Sequence, residues 1–263
     1  MAKFSANLSM LFTERSFLDR FAAAARAGFR GVEFLSPYET PVEELAQRLR
    51  DNRLALALFN LPMGDRTRGE RGVACLPDRV DEFREGVARA IAYARALGCP
   101  TVNCLAGIPS PKTKMIEARR TLIENLRYAG DRCAESGVQM VMEPLNRYDA
   151  PGYFVTHSGR ALDLIDETGS NNVKLQYDVY HMQRMEGELA ATIERLLPRI
   201  GHIQIAGNPG RHEPSVGEIN FRYLVDRLDA LGYEGWVGAE YHPRGRTEDG
   251  LGWFTSYRTK SEA

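Results

Sequence analysis

The chain is poor in the features that mark several large functional classes. Its four cysteines, Cys75, Cys99, Cys104 and Cys133, form no CxxC pair, so neither a disulfide scaffold nor a thiolate zinc site is expected. Its five histidines are scattered at 157, 181, 202, 212 and 242, which argues against a histidine-rich, multinuclear zinc centre. Neither charge is in excess: 34 Lys and Arg stand against 35 Asp and Glu, and a nucleic-acid partner, which calls for a basic patch or surplus, is not expected. Long apolar runs are missing too. The longest, such as residues 54–58, are far too short to span a bilayer, so no membrane role is expected. The opening Met-Ala-Lys-Phe-Ser-Ala-Asn has no secretory hydrophobic segment and enters a strand pattern almost at once. A reduced, cytoplasmic protein is the expectation.

What the chain does have is an alternation. Short apolar or β-branched runs begin near Phe4, Gly31, Leu54, Thr101, Val138, Val173, His202 and Trp236. Helical patterns separate them: 16–27, 42–52, 78–97, 115–136, 158–168, 188–196 and 221–231, with a shorter piece at 247–257. Eight strand–helix units in order point to a closed parallel (β/α)8 barrel, a TIM barrel, rather than an open sheet. With 43% hydrophobic residues in 263, one α/β barrel spanning 1–263 as a single domain is expected. Glycines such as Gly98 and Gly169 follow helical runs as C′ residues do. The connections after strands are the long ones: 62–77, 107–114, 146–157 and 207–220. Barrel enzymes carry their loops on that face.

Strand parity then selects residues. Along a barrel strand, alternate side chains point inward. Glu143, Asp178, Gln204 and Glu240 fall on the inward parity, each at the C-terminal end of its run. Three carboxylates and an amide, one per strand end, make an oxygen-only ring suited to Mg2+ or Mn2+, with Zn2+ a further option. Such an ion would polarise a carbonyl and acidify the neighbouring C–H, while free carboxylates moved the proton. The expected reaction is aldose–ketose or hydroxy-aldehyde–ketone isomerisation through an enediolate, one carboxylate removing the carbon-bound proton and a second acid returning one.

Several segments resemble hydroxypyruvate isomerase: Phe4-Ser-Ala-Asn-Leu-Ser-Met-Leu-Phe12, Gly69-Glu-Arg-Gly72, Glu143-Pro-Leu-Asn146, residues 176–189, Gly201-His-Ile-Gln-Ile-Ala206 and Gly217-Glu-Ile-Asn220. The resemblance runs from about residue 4 to residue 254 and is most specific over 176–189. It implies interconversion of hydroxypyruvate and 2-hydroxy-3-oxopropanoate (tartronate semialdehyde) in glyoxylate-linked metabolism. It also implies a divalent metal at Glu143, Asp178, Gln204 and Glu240, with Glu143 and Glu240 exchanging protons. The 2-oxo-tetronate isomerases share the barrel, the ligand set and an Asn-Leu-Ser-Met start. Their substrate is one hydroxylated carbon longer, and the 176–189 run and the Gly-Glu-Arg-Gly loop favour the hydroxypyruvate branch.

Around this centre, His181 is placed in the loop above the sixth strand, to hydrogen-bond a substrate oxygen. Arg211, in the loop after the seventh strand, is placed to grip a carboxylate, and Asn7 to touch the substrate. Asn7, Glu33, Asn60 and Asn103 are candidate floor residues, with core hydrogen-bonding the alternative for each. Arg147 and Asp149 either orient Glu143 or form a plain salt bridge. Lys174 is read as a partner of buried carboxylates rather than a Schiff-base lysine, His202 as a barrel-core histidine or a partner supporting the metal site from below, and Trp253-Phe254 as packing across the barrel or at an oligomer contact. The expected partner is a short hydroxy-oxo acid, and a homo-oligomer stays open. Rival functions are a ketose 3-epimerase, using the same metal and glutamates on a longer substrate, a metabolite sensor without turnover, and a DNA-repair endonuclease, which the few histidines and balanced charge disfavour.

Overall fold

The computed structural model describes residues 2–258. Eight strands close into one parallel barrel in sequence order: β1 (Lys3–Asn7), β2 (Gly31–Phe34), β3 (Ala55–Asn60), β4 (Thr101–Cys104), β5 (Gln139–Met142), β6 (Val173–Asp178), β7 (Ile200–Ile205) and β8 (Trp236–Ala239). β8 pairs with β1 and completes the ring. The strands are buried on both faces, outward against helices and inward against one another, which is why they read as near-continuous apolar runs.

The outer layer comprises α1 (Arg20–Arg26), α2 (Val42–Asp51), α3 (Val80–Leu97), α4 (Met115–Ala134), α5 (Ser158–Thr168), α6 (Val179–Met185), α7 (Leu189–Leu196), α8 (Phe221–Ala230) and α9 (Thr255–Arg258). In α3 the buried Phe83, Val87, Ala90, Ala94 and Leu97 recur at helical spacing, so one stripe faces the sheet. Gly98 ends this helix in the left-handed conformation at φ 63°, where a side chain would be strained.

One helix departs from the sequence expectation. Residues 179–185, expected as loop, form α6. At seven residues it is too short to show a periodicity, and four successive residues, Val179, Tyr180, His181 and Met182, are buried. It starts because the Asp178 carboxylate accepts the Tyr180 N–H at 2.8 Å, an N-cap made by the last residue of β6. His181 is therefore a helix residue. The Trp253-Phe254 pair packs within the chain: Phe254 stacks on Phe29 with centroids 4.1 Å apart, and Trp253 meets Phe4 edge-on at 5.6 Å. No helix among the described residues is long and apolar enough to cross a membrane.

The barrel interior differs from the branched aliphatic layers usual in this architecture. Register places Asn7 beside Glu33, Asn60 beside Asn103, and Asp178 beside Gln204, which in turn neighbours Gly238. The inner layer nearest the C-terminal strand ends is polar.

Candidate active site

The site rests on Glu33, which is fully buried. Its carboxylate accepts from Ser5 Oγ at 2.9 Å, Asn7 Nδ2 at 3.2 Å, His202 Nε2 at 2.9 Å and Gln204 Nε2 at 2.7 Å. Burial pushes its proton affinity up, but the His202 charge and the hydrogen bonds from His202, Gln204 and Ser5 outweigh it and hold the carboxyl below its usual range. Two further strands, β1 and β7, are thereby tied to one ionised group on β2. Space for it comes from Gly238, where a Cβ would overlap both Glu33 oxygens.

Above this floor stand the acidic residues. Glu143 and Glu240 follow the last residues of β5 and β8, and Asp178 ends β6. Glu143 Oε2 accepts from Asn103 Nδ2 at 2.9 Å, and Asn103 Nδ2 also reaches Asn60 Oδ1 at 3.1 Å. The Glu143 carbonyl is held by Tyr153 Oη at 3.1 Å. Glu240 Oε2 accepts from Asn7 Nδ2 at 2.9 Å and from Gln204 Nε2. All three carboxyls are buried and all bind protons more tightly than usual. For Glu143 the cause is burial and then the charges of Glu240 and Asp178, and for Asp178 it is burial, partly offset by Arg211. Burial raises Glu240 to about 8 despite the Arg211 charge beside it. Like charges crowded in a low-dielectric site resist joint ionisation.

Glu143, Asp178 and His181 each bring one ligand atom within 4.8 Å of the others, so this buried group can hold a metal ion. His181 Nε2 is 3.6 Å from Asp178 Oδ2 and 4.0 Å from Glu143 Oε1. Burial and the charges of Arg211, Arg184 and Arg71 hold its proton affinity well below the usual histidine range, so the ring is neutral.

Parity thus brings Glu143, Asp178, Gln204 and Glu240 to one end of the barrel, and the expected floor residues Glu33, Asn60 and Asn103 lie beneath them. Other placements differ from expectation. Arg211 does not present an open fork: Nη2 lies 2.6 Å from Glu240 Oε1 and 3.5 Å from Asp178 Oδ2, and the guanidinium sits over the Tyr180 ring at 5.2 Å. Asn7 does not line the cavity; its amide nitrogen serves Glu33 and Glu240, and its oxygen accepts the Ser9 N–H at 3.0 Å. Gln204 turns its amide nitrogen toward Glu240 and its oxygen toward Gln176 Nε2, 2.6 Å away.

Neither Arg147 nor Asp149 orients Glu143. Arg147 is exposed beside Tyr148, while Asp149 accepts from Asn146, Tyr180 and Arg184. Lys174 is half-buried near the start of β6 and has no ion-pair partner among the described residues. His202 holds Glu33 rather than filling space alone. Tyr153, which holds the Glu143 carbonyl from 10 residues away, carried no sequence signal, and the inward parity of Gln176 could not show its bond to Gln204, 28 residues on.

The cavity above these groups is about 260 Å³ and is lined by Glu143, Glu240, His181 and Arg211, with Arg66 and Arg71 from the loop after β3. That lies below the roughly 300–1,000 Å³ usual for drug-sized ligands.

The model of the xylose isomerase-like TIM barrel family matches residues 21–257. Hydroxypyruvate isomerase of Escherichia coli (strain K12) is 52% identical over 258 residues, covering 98% of this chain and 100% of that one. A 2-oxo-tetronate isomerase of Cupriavidus necator is 48% identical over 98% of this chain and 99% of its own length. A crystal structure titled AP endonuclease, family 2, from Brucella melitensis is 46% identical with a TM-score of 0.96, over 98% of this chain and 100% of that one. Both isomerases match over nearly the whole of this chain and of their own length. The chain belongs to the hydroxypyruvate isomerase family, a family of isomerases on the xylose isomerase-like TIM barrel.

Proposed function

We propose that this enzyme interconverts hydroxypyruvate and 2-hydroxy-3-oxopropanoate by proton transfer through an enediolate, with Glu143 and Glu240 as the proton-transfer pair. The observation that carries this reading is that both glutamates line one small cavity and both bind protons more tightly than a free carboxyl. A general base works best when its proton affinity lies near the working pH. One glutamate removes the carbon-bound proton, and the other, or the same group, returns a proton to the neighbouring carbon. His181 donates a hydrogen bond to the developing oxyanion, and Arg211 favours the ionised form of Glu240 through their 2.6 Å contact, against the larger effect of burial. Asn103 and Asn7 hold the two glutamates in place.

The donor set suits a hard divalent cation, Mg2+ or Mn2+, held by Glu143, Asp178, Gln204 and Glu240. Three crowded carboxyls with raised proton affinity call for more positive charge than Arg211 alone provides. Such a cation, when bound, supplies Lewis-acid polarisation of the substrate carbonyl.

The 2-oxo-tetronate isomerase relative favours a second substrate with the same chemistry. An endonuclease reading, suggested by the Brucella title, is weaker. Among the described residues a single group of three acid and histidine ligands is found, and the net charge is -1.

The test is turnover of hydroxypyruvate by chelator-treated protein with and without Mg2+ or Mn2+, alongside 2-oxo-tetronate. Metal-restored turnover is expected, with Glu143→Gln and Glu240→Gln each reduced on the order of 10²- to 10⁴-fold. Near-normal turnover by either variant would remove that glutamate from the mechanism.

A further inference from the structure

The Gly69-Glu-Arg-Gly72 segment lies outside the carboxylate cluster, in the connection between β3 and α3, yet it is held with care. The Glu70 carboxylate accepts the Asp65 N–H at 2.7 Å and Arg79 Nη1 at 2.8 Å. Asp65 accepts the Thr67 N–H at 2.9 Å and so caps the turn at Arg66–Arg68. The Gly72 N–H donates to the Met63 carbonyl at 2.9 Å, and a Cβ on Gly72 would overlap the Leu105 carbonyl. This bracing fixes the backbone on both sides of Arg66 and Arg71, whose side chains line the cavity that holds Glu143 and Glu240.

Neither arginine has an acidic partner among the described residues, in contrast to Arg79, which pairs with Glu70 and Glu82. The third arginine of the cavity, Arg211, is committed to Glu240 and Asp178. An anionic substrate must enter a cavity walled by carboxylates, and a like charge there is costly without a facing cation. Guanidinium forks grip carboxylates in a planar, two-point fashion that fixes orientation as well as position.

We propose that Arg66 and Arg71 form the clamp for the substrate carboxylate, selecting short oxo-acids over uncharged ketoses and aiming their reacting carbons at Glu143 and Glu240. This deepens the isomerase reading and rests on it for the identity of the acid.

Two readouts on the full chain with Mg2+ present test it. The first is binding of D-glycerate, which keeps the carboxylate and hydroxyls and lacks the carbonyl, by calorimetry. Arg66→Ala and Arg71→Ala are each expected to weaken it on the order of 10- to 100-fold, and Arg71→Lys less. The second is the ratio of kcat/KM for hydroxypyruvate to that for dihydroxyacetone, which has CH2OH in place of the carboxylate and undergoes the same rearrangement. The ratio should fall by a similar factor, through KM rather than kcat. Glycerate binding that is absent in the wild type, or equal in wild type and variants, overturns the clamp, as does an unchanged ratio. If the wild type turns over neither oxo-acid while glycerate binding still depends on both arginines, the isomerase reading fails and the clamp stands.

Discussion

The Asn146 backbone N–H points at His181 Nδ1 from 3.1 Å. A backbone N–H can only donate, so Nδ1 offers a lone pair and the ring proton sits on Nε2. The Asn146 side-chain nitrogen, 2.7 Å from the same atom, reinforces that tautomer. Nε2 is the atom that faces Asp178 and Glu143. In this tautomer it is a hydrogen-bond donor toward the cavity, beside the two acids with which it forms the group able to hold a metal ion.

That tautomer gives the first prediction. His181→Gln should lower kcat on the order of 100-fold, the usual size for one oxyanion donor, while divalent-cation affinity changes by less than about threefold. Metal titration by calorimetry checks this. A loss of metal affinity on the order of 10- to 100-fold, typical of a disturbed ligand set, would make His181 a ligand instead.

A second prediction concerns pH. Glu240 holds its proton to about pH 8 in the folded chain but ionises near 4.5 once unfolded. Between those values the unfolded chain binds fewer protons, so the contribution of this group to stability falls as pH rises. In chelator, Tm should decrease from pH 5 to pH 8. Glu240→Gln should flatten the slope, and Mn2+ should reverse much of the loss. A Tm profile that is the same with and without Glu240 would contradict the assignment.

The third prediction concerns Glu33. Gly238→Ala forces a methyl group onto its carboxylate, and overpacking of a tight interior costs about 1–3 kcal/mol. Urea denaturation should show that loss, together with reduced turnover, because Glu33 also positions Asn7 and Gln204. Unchanged stability would mean that Glu33 moves freely.

The fourth concerns the C-terminal seal. Phe254→Ala removes a buried ring stacked on Phe29 and edge-on to Phe4 at 5.9 Å. Large-to-small changes at buried aromatics cost about 3–5 kcal/mol. The loss should appear in thermal unfolding with kcat of the folded enzyme preserved.

The sequence carried the architecture because barrel strands obey a period of two and their helices a period near 3.6. Parity alone was enough to bring Glu143, Asp178, Gln204 and Glu240 to one end, and to set Glu33, Asn60 and Asn103 below them. It could not show α6, whose start depends on the Asp178 side chain rather than on a repeat. Nor could it show that Arg211 turns back onto Glu240, since that depends on the path of the loop after β7, where Arg211 itself adopts φ 56°. The commitment of Asn7 to Glu33 and Glu240 links residues 26 and 233 positions apart, a separation at which local pattern says nothing. The cavity arginines Arg66 and Arg71 sit in an irregular loop, where only the closed structure tells a lining side chain from a solvated one.

In the proposed reaction a carboxylate moves a proton between carbons. The most direct test is to run the reaction on hydroxypyruvate in D2O and follow the carbon-bound hydrogens by NMR. Proton transfer by Glu143 and Glu240 predicts deuterium from solvent at the newly protonated carbon, and its loss in Glu143→Gln and Glu240→Gln. Full retention of the original protium through turnover would contradict transfer shared between the two glutamates.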